Sequence, residues 1–95
     1  MLLKVLSNAK GVSTLSKEDM LEQVTICVDR AIGYYMADNK LTREQMADQM
    51  HMSTNTLRWK REGKNEWALS EILELSEIVG KTPDELTGFK ELVSV

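Results

Sequence analysis

"LTREQMADQMHMSTNTLRWKREGK", residues 41–64, decides how the chain is read. Thr42 stands before a run of helix formers as an N-cap. Gln45, three positions on, completes a capping box, in which each side chain satisfies the other residue's backbone N–H. Leu41 is placed to staple onto Met46, and Ala47 and Met50 continue an inward face at helical spacing. "HM" breaks the pattern, and Ser53 is another good cap. The stretch therefore reads as a helix of about two turns, a tight turn, and a second short helix over 54–62 with Gly63 as its terminator.

The second helix is chemically unlike the rest of the chain. Arg58, Lys60, Arg61 and Lys64 fall within seven positions, Trp59 lies among them, and Glu62 is the one acid there. The whole chain has 12 Lys and Arg against 15 Asp and Glu, a net charge of −3. Since residues 53–64 sum to +3, the other residues sum to −6. Such a chain does not coat nucleic acid indiscriminately, but it can dock one face on a polyanion.

Helical periodicity extends outward on both sides. Ser16 followed by Lys17-Glu18-Asp19 is a helix start, and Met20, Val24, Cys27, Val28, Ala31, Ile32 and Tyr35 form an apolar stripe ending at "ADNK". Gly33 argues against one continuous helix here, because interior glycine costs about 1 kcal/mol relative to alanine. Downstream, Leu69, Ile72, Leu75 and Val79 form a stripe, with Glu71, Glu74 and Glu77 on the wet side and Gly80 as the stop. "TPDEL" opens a fifth helix with Thr82 as cap, Pro83 at the first helical position and Glu85 closing the box. No strand-period run occurs between residues 17 and 88, so the fold class is all-α, a compact bundle of about five short helices. At the ends, "MLLKVL" and "ELVSV" either pair as short strands, within one chain or across two, or fray.

Other chemistry finds little support. At 95 residues the chain suits one domain with a modest core. Its single cysteine, Cys27, excludes an internal disulfide framework and suits a reducing compartment; on the apolar stripe it is expected to be a buried, inert thiol. "MLLKVL" is too short for a signal-peptide core and no run approaches membrane-spanning length, so a cytoplasmic protein is expected. His51 and Cys27 sit in different elements and no spaced ligand set suggests a metal. No nucleophile–base arrangement or glycine-rich phosphate loop appears, so an enzyme, a cofactor and a small-molecule ligand are not expected. Met46, Met50 and Met52 read as core filler, and Trp67 as a packing residue.

Helix, tight turn, and basic second helix is the layout of a helix-turn-helix. The stretch resembles the Cro/CI-type phage repressors, also called the XRE family, in Leu41-Thr42, Ala47, Met52-Ser53, Thr56-Leu57 and Gly63-Lys64. "LSEILELSEIVGKTPDELTG" is similar to the same family's fourth and fifth helices. The likeness covers residues 26–88, with 1–25 as an N-terminal extension and 89–95 as a tail, and implies a lambda-repressor-like fold. The family usually has glycine in the turn where this chain has His51, so the turn is expected to be strained or differently shaped. Its positions for Lys60 and Arg61 are often apolar, which leaves Leu57 to carry most of the anchoring of that helix.

The resemblance implies sequence-specific binding of a double-stranded DNA operator by a phage or prophage transcriptional regulator. Thr54, Asn55 and Arg58 are the candidates for base edges: asparagine suits adenine, arginine guanine, and the threonine methyl that of thymine. Arg43, Lys64 and Asn65 are placed for phosphates, together with Lys60 and Arg61 of the basic helix. The helix N-termini at Thr42 and Ser53 add backbone N–H groups, and Trp59 either meets the sugar-phosphate wall or packs inward. A homodimer, suggested by the small recognition unit and the apolar ends, would set half-sites roughly 34–36 Å apart. The alternative is a helix-turn-helix-derived protein-interaction module, an antirepressor or phage-encoded inhibitor, which the acidic balance favours.

Overall fold

The structure, a computed structural model, describes residues 16–89; the readings of residues 1–6 and 91–95 as strands lie outside them. Five helices follow in order: α1 (Lys17–Asn39), α2 (Arg43–Gln49), α3 (Thr54–Arg61), α4 (Leu69–Val79) and α5 (Pro83–Thr87). There is no strand among the described residues. The chain is thus an all-α bundle of five helices.

The caps form where the sequence places them. Ser16 accepts from the Asp19 N–H, and Thr42 with Gln45 and Thr82 with Glu85 make reciprocal boxes. At α4 only half a box is possible: Glu71 accepts from the Ala68 N–H at 2.8 Å, but Ala68 has no hydroxyl to reciprocate.

α1 is the spine, packing against α3, α4 and α5, while α2 packs on α3 and α4 on α5. Val28, Ala31 and Ile32 of α1 meet Met46, Ala47 and Met50 of α2, Leu57 of α3, Ile72 and Leu75 of α4, and Leu86 of α5 in one core. Trp67 closes that core from the loop before α4. Full burial of side chains such as Ile32, Leu57 and Leu75 supplies roughly 1.5–3 kcal/mol each.

Three expectations need correction. α1 runs unbroken through Gly33 for 23 residues, because its packing along three other helices outweighs one glycine's propensity deficit. Met20 and Leu69 do not join the core: they are 38 % and 73 % exposed. At that end of the core the cluster takes in Trp67 from the preceding loop and Ile72, one turn further along α4, but not Leu69. Glu71 does not lie on a wet face; it is half-buried and bonded to α3.

At the far end α5 docks on α1 through Gly88. Its φ of 84° is left-handed, and a Cβ there would lie 2.7 Å from Cys27 Sγ and 3.0 Å from Gln23 Nε2. Glycine thus permits both the turn and the close approach. Buried Gln23 donates from Nε2 to the Thr87 carbonyl at 3.4 Å across the same contact.

Candidate nucleic-acid interface

The α2–α3 connection is a true tight turn. His51 N–H donates to the Asp48 carbonyl and Met52 N–H to the Ala47 carbonyl, each at 3.0 Å, so the last carbonyls of α2 are satisfied as the chain reverses. His51 takes φ 58°, the left-handed conformation that glycine usually supplies. Its ring, 3.5 Å from Glu74, lies largely in solvent, where an ion pair contributes little. Ser53 then caps α3, accepting from the Thr56 N–H at 3.1 Å while its hydroxyl donates to Thr56 Oγ1 at 2.9 Å.

Leu57 fixes the rotation of α3. With Leu57 fully buried, its neighbours one turn on, Lys60 and Arg61, turn inward as well, and Asn55, Arg58 and Trp59 are left outside. Thr54 is half-buried on the rim. Arg58 and Thr54 share a cleft of about 480 Å³ with Arg43 from the start of α2. Among the described residues neither Asn55, Arg58 nor Arg43 has a side-chain hydrogen bond or ion pair, so their polar ends are uncommitted.

The basic cluster divides by this rotation, and two of the expected phosphate contacts, Lys60 and Arg61, have partners inside the fold. Lys60 is buried. Its ammonium lies 3.0 Å from Glu71 Oε1, donates to the Glu66 carbonyl at 2.9 Å and stands 5.7 Å from the centre of the Trp67 ring. Burying an ammonium requires such internal partners, and Lys60 has them. Arg61 is drawn to α1: its Nε donates to Asp29 at 2.6 Å and one terminal nitrogen to Met36 Sδ at 3.5 Å. Both residues extend the inward row of Leu57, which is the signal in the sequence that places them. Lys64 is exposed, 3.3 Å from Glu62.

The other expected contacts fare variously. Trp59 is exposed on α3, and its carbonyl accepts from the Lys64 and Asn65 N–H groups at 2.8 and 3.3 Å, which holds the helix end and both of those residues together. Thr42 spends its hydroxyl and its N–H on the box with Gln45, so its part in a phosphate clamp is only to start α2 beside Arg43. Ser53 likewise spends its hydroxyl on Thr56.

The outward row can do specific chemistry: an amide, an arginine fork and a threonine rim match base edges, and one more guanidinium flanks them. It carries less positive charge than the sequence suggests, since three of the four clustered cations have carboxylate partners within the chain. No helix among the described residues is long and apolar enough to cross a membrane, and no group of His, Cys, Asp and Glu there could hold a metal ion. No protein-family model matches the chain, and no curated protein or solved structure shows significant similarity to it.

Proposed function

We propose that the chain binds double-stranded DNA sequence-specifically, laying α3 in the major groove, as a small cytoplasmic transcriptional regulator of the Cro/CI kind. The observation that carries this reading is the uncommitted pair Asn55 and Arg58 on the outward row of a short helix that follows a tight turn. Side chains without partners in the fold are free to read bases, and one good bidentate contact discriminates by about 1–3 kcal/mol. Arg43 supports the register from the start of α2, and Lys64 from the end of α3, against phosphates. Two subunits on one operator would present two such helices roughly 34–36 Å apart.

Selection of bound sequences from a random duplex pool tests this directly. The expected product is a pair of related half-sites, with Arg58→Ala relaxing preference at one base pair per half-site. Failure of the protein to enrich any sequence at low salt would refute the reading.

The internal neutralisation of Lys60, Arg61 and Lys64 favours a second reading, a protein-interaction module that has kept the helix-turn-helix layout without its nucleic-acid affinity. Because phosphate neutralisation supplies most sequence-independent affinity, such a module would retain no salt-dependent binding to any duplex.

A further inference from the structure

A second surface lies on the other side of Arg61, where the first half of α1 faces the loop joining α3 to α4 across a groove of about 820 Å³. Glu18, Glu22 and Asp29 line one bank and Glu62 and Glu66 the other, opposed by only Arg30 and Arg61. Asp29 is held by Arg61 and Glu62 by Lys64, but Glu18, Glu22 and Glu66 have no ion pair among the described residues. Between the banks lie apolar groups: Leu21, the side of Trp67, and Ile26, which is 49 % exposed. Half-exposed Ile26 thus sets an apolar spot in a groove whose uncommitted charge is mostly negative, an arrangement that disfavours nucleic acid.

We infer that this groove is a docking site for a basic peptide segment of a partner protein, one that carries arginine or lysine around an apolar anchor. Charge complementarity selects the occupant. With Asp29 held by Arg61 and Glu62 by Lys64, Glu18, Glu22 and Glu66 against Arg30 leave the groove net negative, which disfavours phosphates and acidic peptides. Leu21 and Ile26 favour a segment that also carries an apolar group. The dimensions agree: from Glu18 to Asp29 the α1 bank runs about 16 Å, the length of roughly five extended residues or three helical turns. Apolar contact on Ile26 beside Leu21 supplies the anchor, and Glu22 and Glu66 on opposite banks fix the cationic flanks. The groove adjoins the cleft of Thr54 and Arg58, sharing Asp29, Arg61 and Glu62 with it. Glu18, Glu22, Ile26 and Glu66 lie outside that cleft, so the proposal does not depend on whether the outward row of α3 reads DNA.

The test uses the full chain and a fluorescein-labelled dodecapeptide repeating Arg-Leu-Ala-Arg, followed by fluorescence polarisation. Glu22 and Glu66 are exposed and make no ion pair among the described residues, so Glu22→Gln/Glu66→Gln should fold normally, which circular dichroism checks. The double variant is expected to bind the probe about tenfold more weakly. Ile26→Ser, and a probe with glycine in place of leucine, should each weaken binding about fivefold or more. Amide shifts on titration should concentrate in residues 18–29 and 62–67. The proposal is overturned by no binding at about 1 mM probe, by equal binding of the leucine and glycine probes, by unchanged affinity in the double variant, or by shifts centred elsewhere.

Discussion

The Lys60 ammonium and the Glu71 carboxylate meet 3.0 Å apart between α3 and α4, with only 11 % and 23 % of their side chains exposed. The same Glu71 oxygen accepts from the Ala68 N–H, so one carboxylate both caps α4 and holds α3 against it.

Removing the carboxylate should therefore be worse than removing the cation. Glu71→Ala strands a buried ammonium and frees the Ala68 N–H together. About 2–3 kcal/mol of destabilisation is expected, below the range for fully buried pairs because Glu71 is partly wet. Lys60→Met keeps the volume and leaves a carboxylate that water and Ala68 can still serve, so about 1 kcal/mol or less is expected. Urea denaturation of both variants checks the order. A Lys60→Met loss equal to that of Glu71→Ala would show that the ammonium's own bonds, to Glu66 and Trp67, dominate.

That pair also marks where sequence reading stops. Caps at Ser16, Thr42, Ser53 and Thr82 were legible because each bond closes within three residues, and the stripe through Val28 and Ile32 was legible because it repeats at the helical period. The rotation of α3 was legible too, through Leu57, and with it the outward position of Asn55 and Arg58. What could not be read locally was the identity of charge partners. Lys60 finds Glu71 and Arg61 finds Asp29 only after other helices are folded against α3, so a run of positive charge in the sequence became mostly internal ion pairs. Leu69 misled for a related reason: periodicity gives its face, and only Trp67 decides how far along that face the core extends.

Gly33 offers a test of the unbroken α1. Its φ is not positive, and a Cβ there would meet only Arg61, at an ordinary contact distance of 3.8 Å. Gly33→Ala should stabilise the protein by about 0.5–1 kcal/mol, from helix propensity alone. Thermal unfolding should then show a rise of several degrees, of the order of 4–8 °C per kcal/mol for a domain this size. Destabilisation instead would mean that Arg61 needs the bare backbone of α1 to reach Asp29.

Gly88 should respond in the opposite sense. Gly88→Ala forces a side chain into left-handed backbone and places its Cβ 2.7 Å from Cys27 Sγ, so at least about 2 kcal/mol is expected to be lost. Adding Cys27→Ala lifts the shorter of the two close approaches and leaves the backbone term and the 3.0 Å approach to Gln23 Nε2. The double variant should therefore be more stable than the sum of the two single losses, by about 1 kcal/mol. Strict additivity in denaturant titrations would remove the Cys27 contact as a cause.

The division of the basic cluster predicts which cations a duplex feels. Each phosphate contact contributes close to one unit to the slope of log affinity against log salt, so deleting a true contact lowers that slope by about 1. Arg43 makes no ion pair among the described residues, and Asp29 and Glu62 in its cleft are held by Arg61 and Lys64, so Arg43→Ala should show nearly the full decrement. Lys64 must first leave Glu62, 3.3 Å away, so Lys64→Ala should lower the slope by a smaller amount. Lys60 is spent on Glu71 and Glu66, so Lys60→Met should weaken binding, if at all, by the same factor at every salt concentration. Fluorescence anisotropy on a selected duplex from about 50 to 200 mM salt separates the three. If Lys60→Met lowers the slope as far as Arg43→Ala does, Lys60 must swing out to the phosphates on binding, and the rotation of α3 described above cannot be that of the DNA-bound protein.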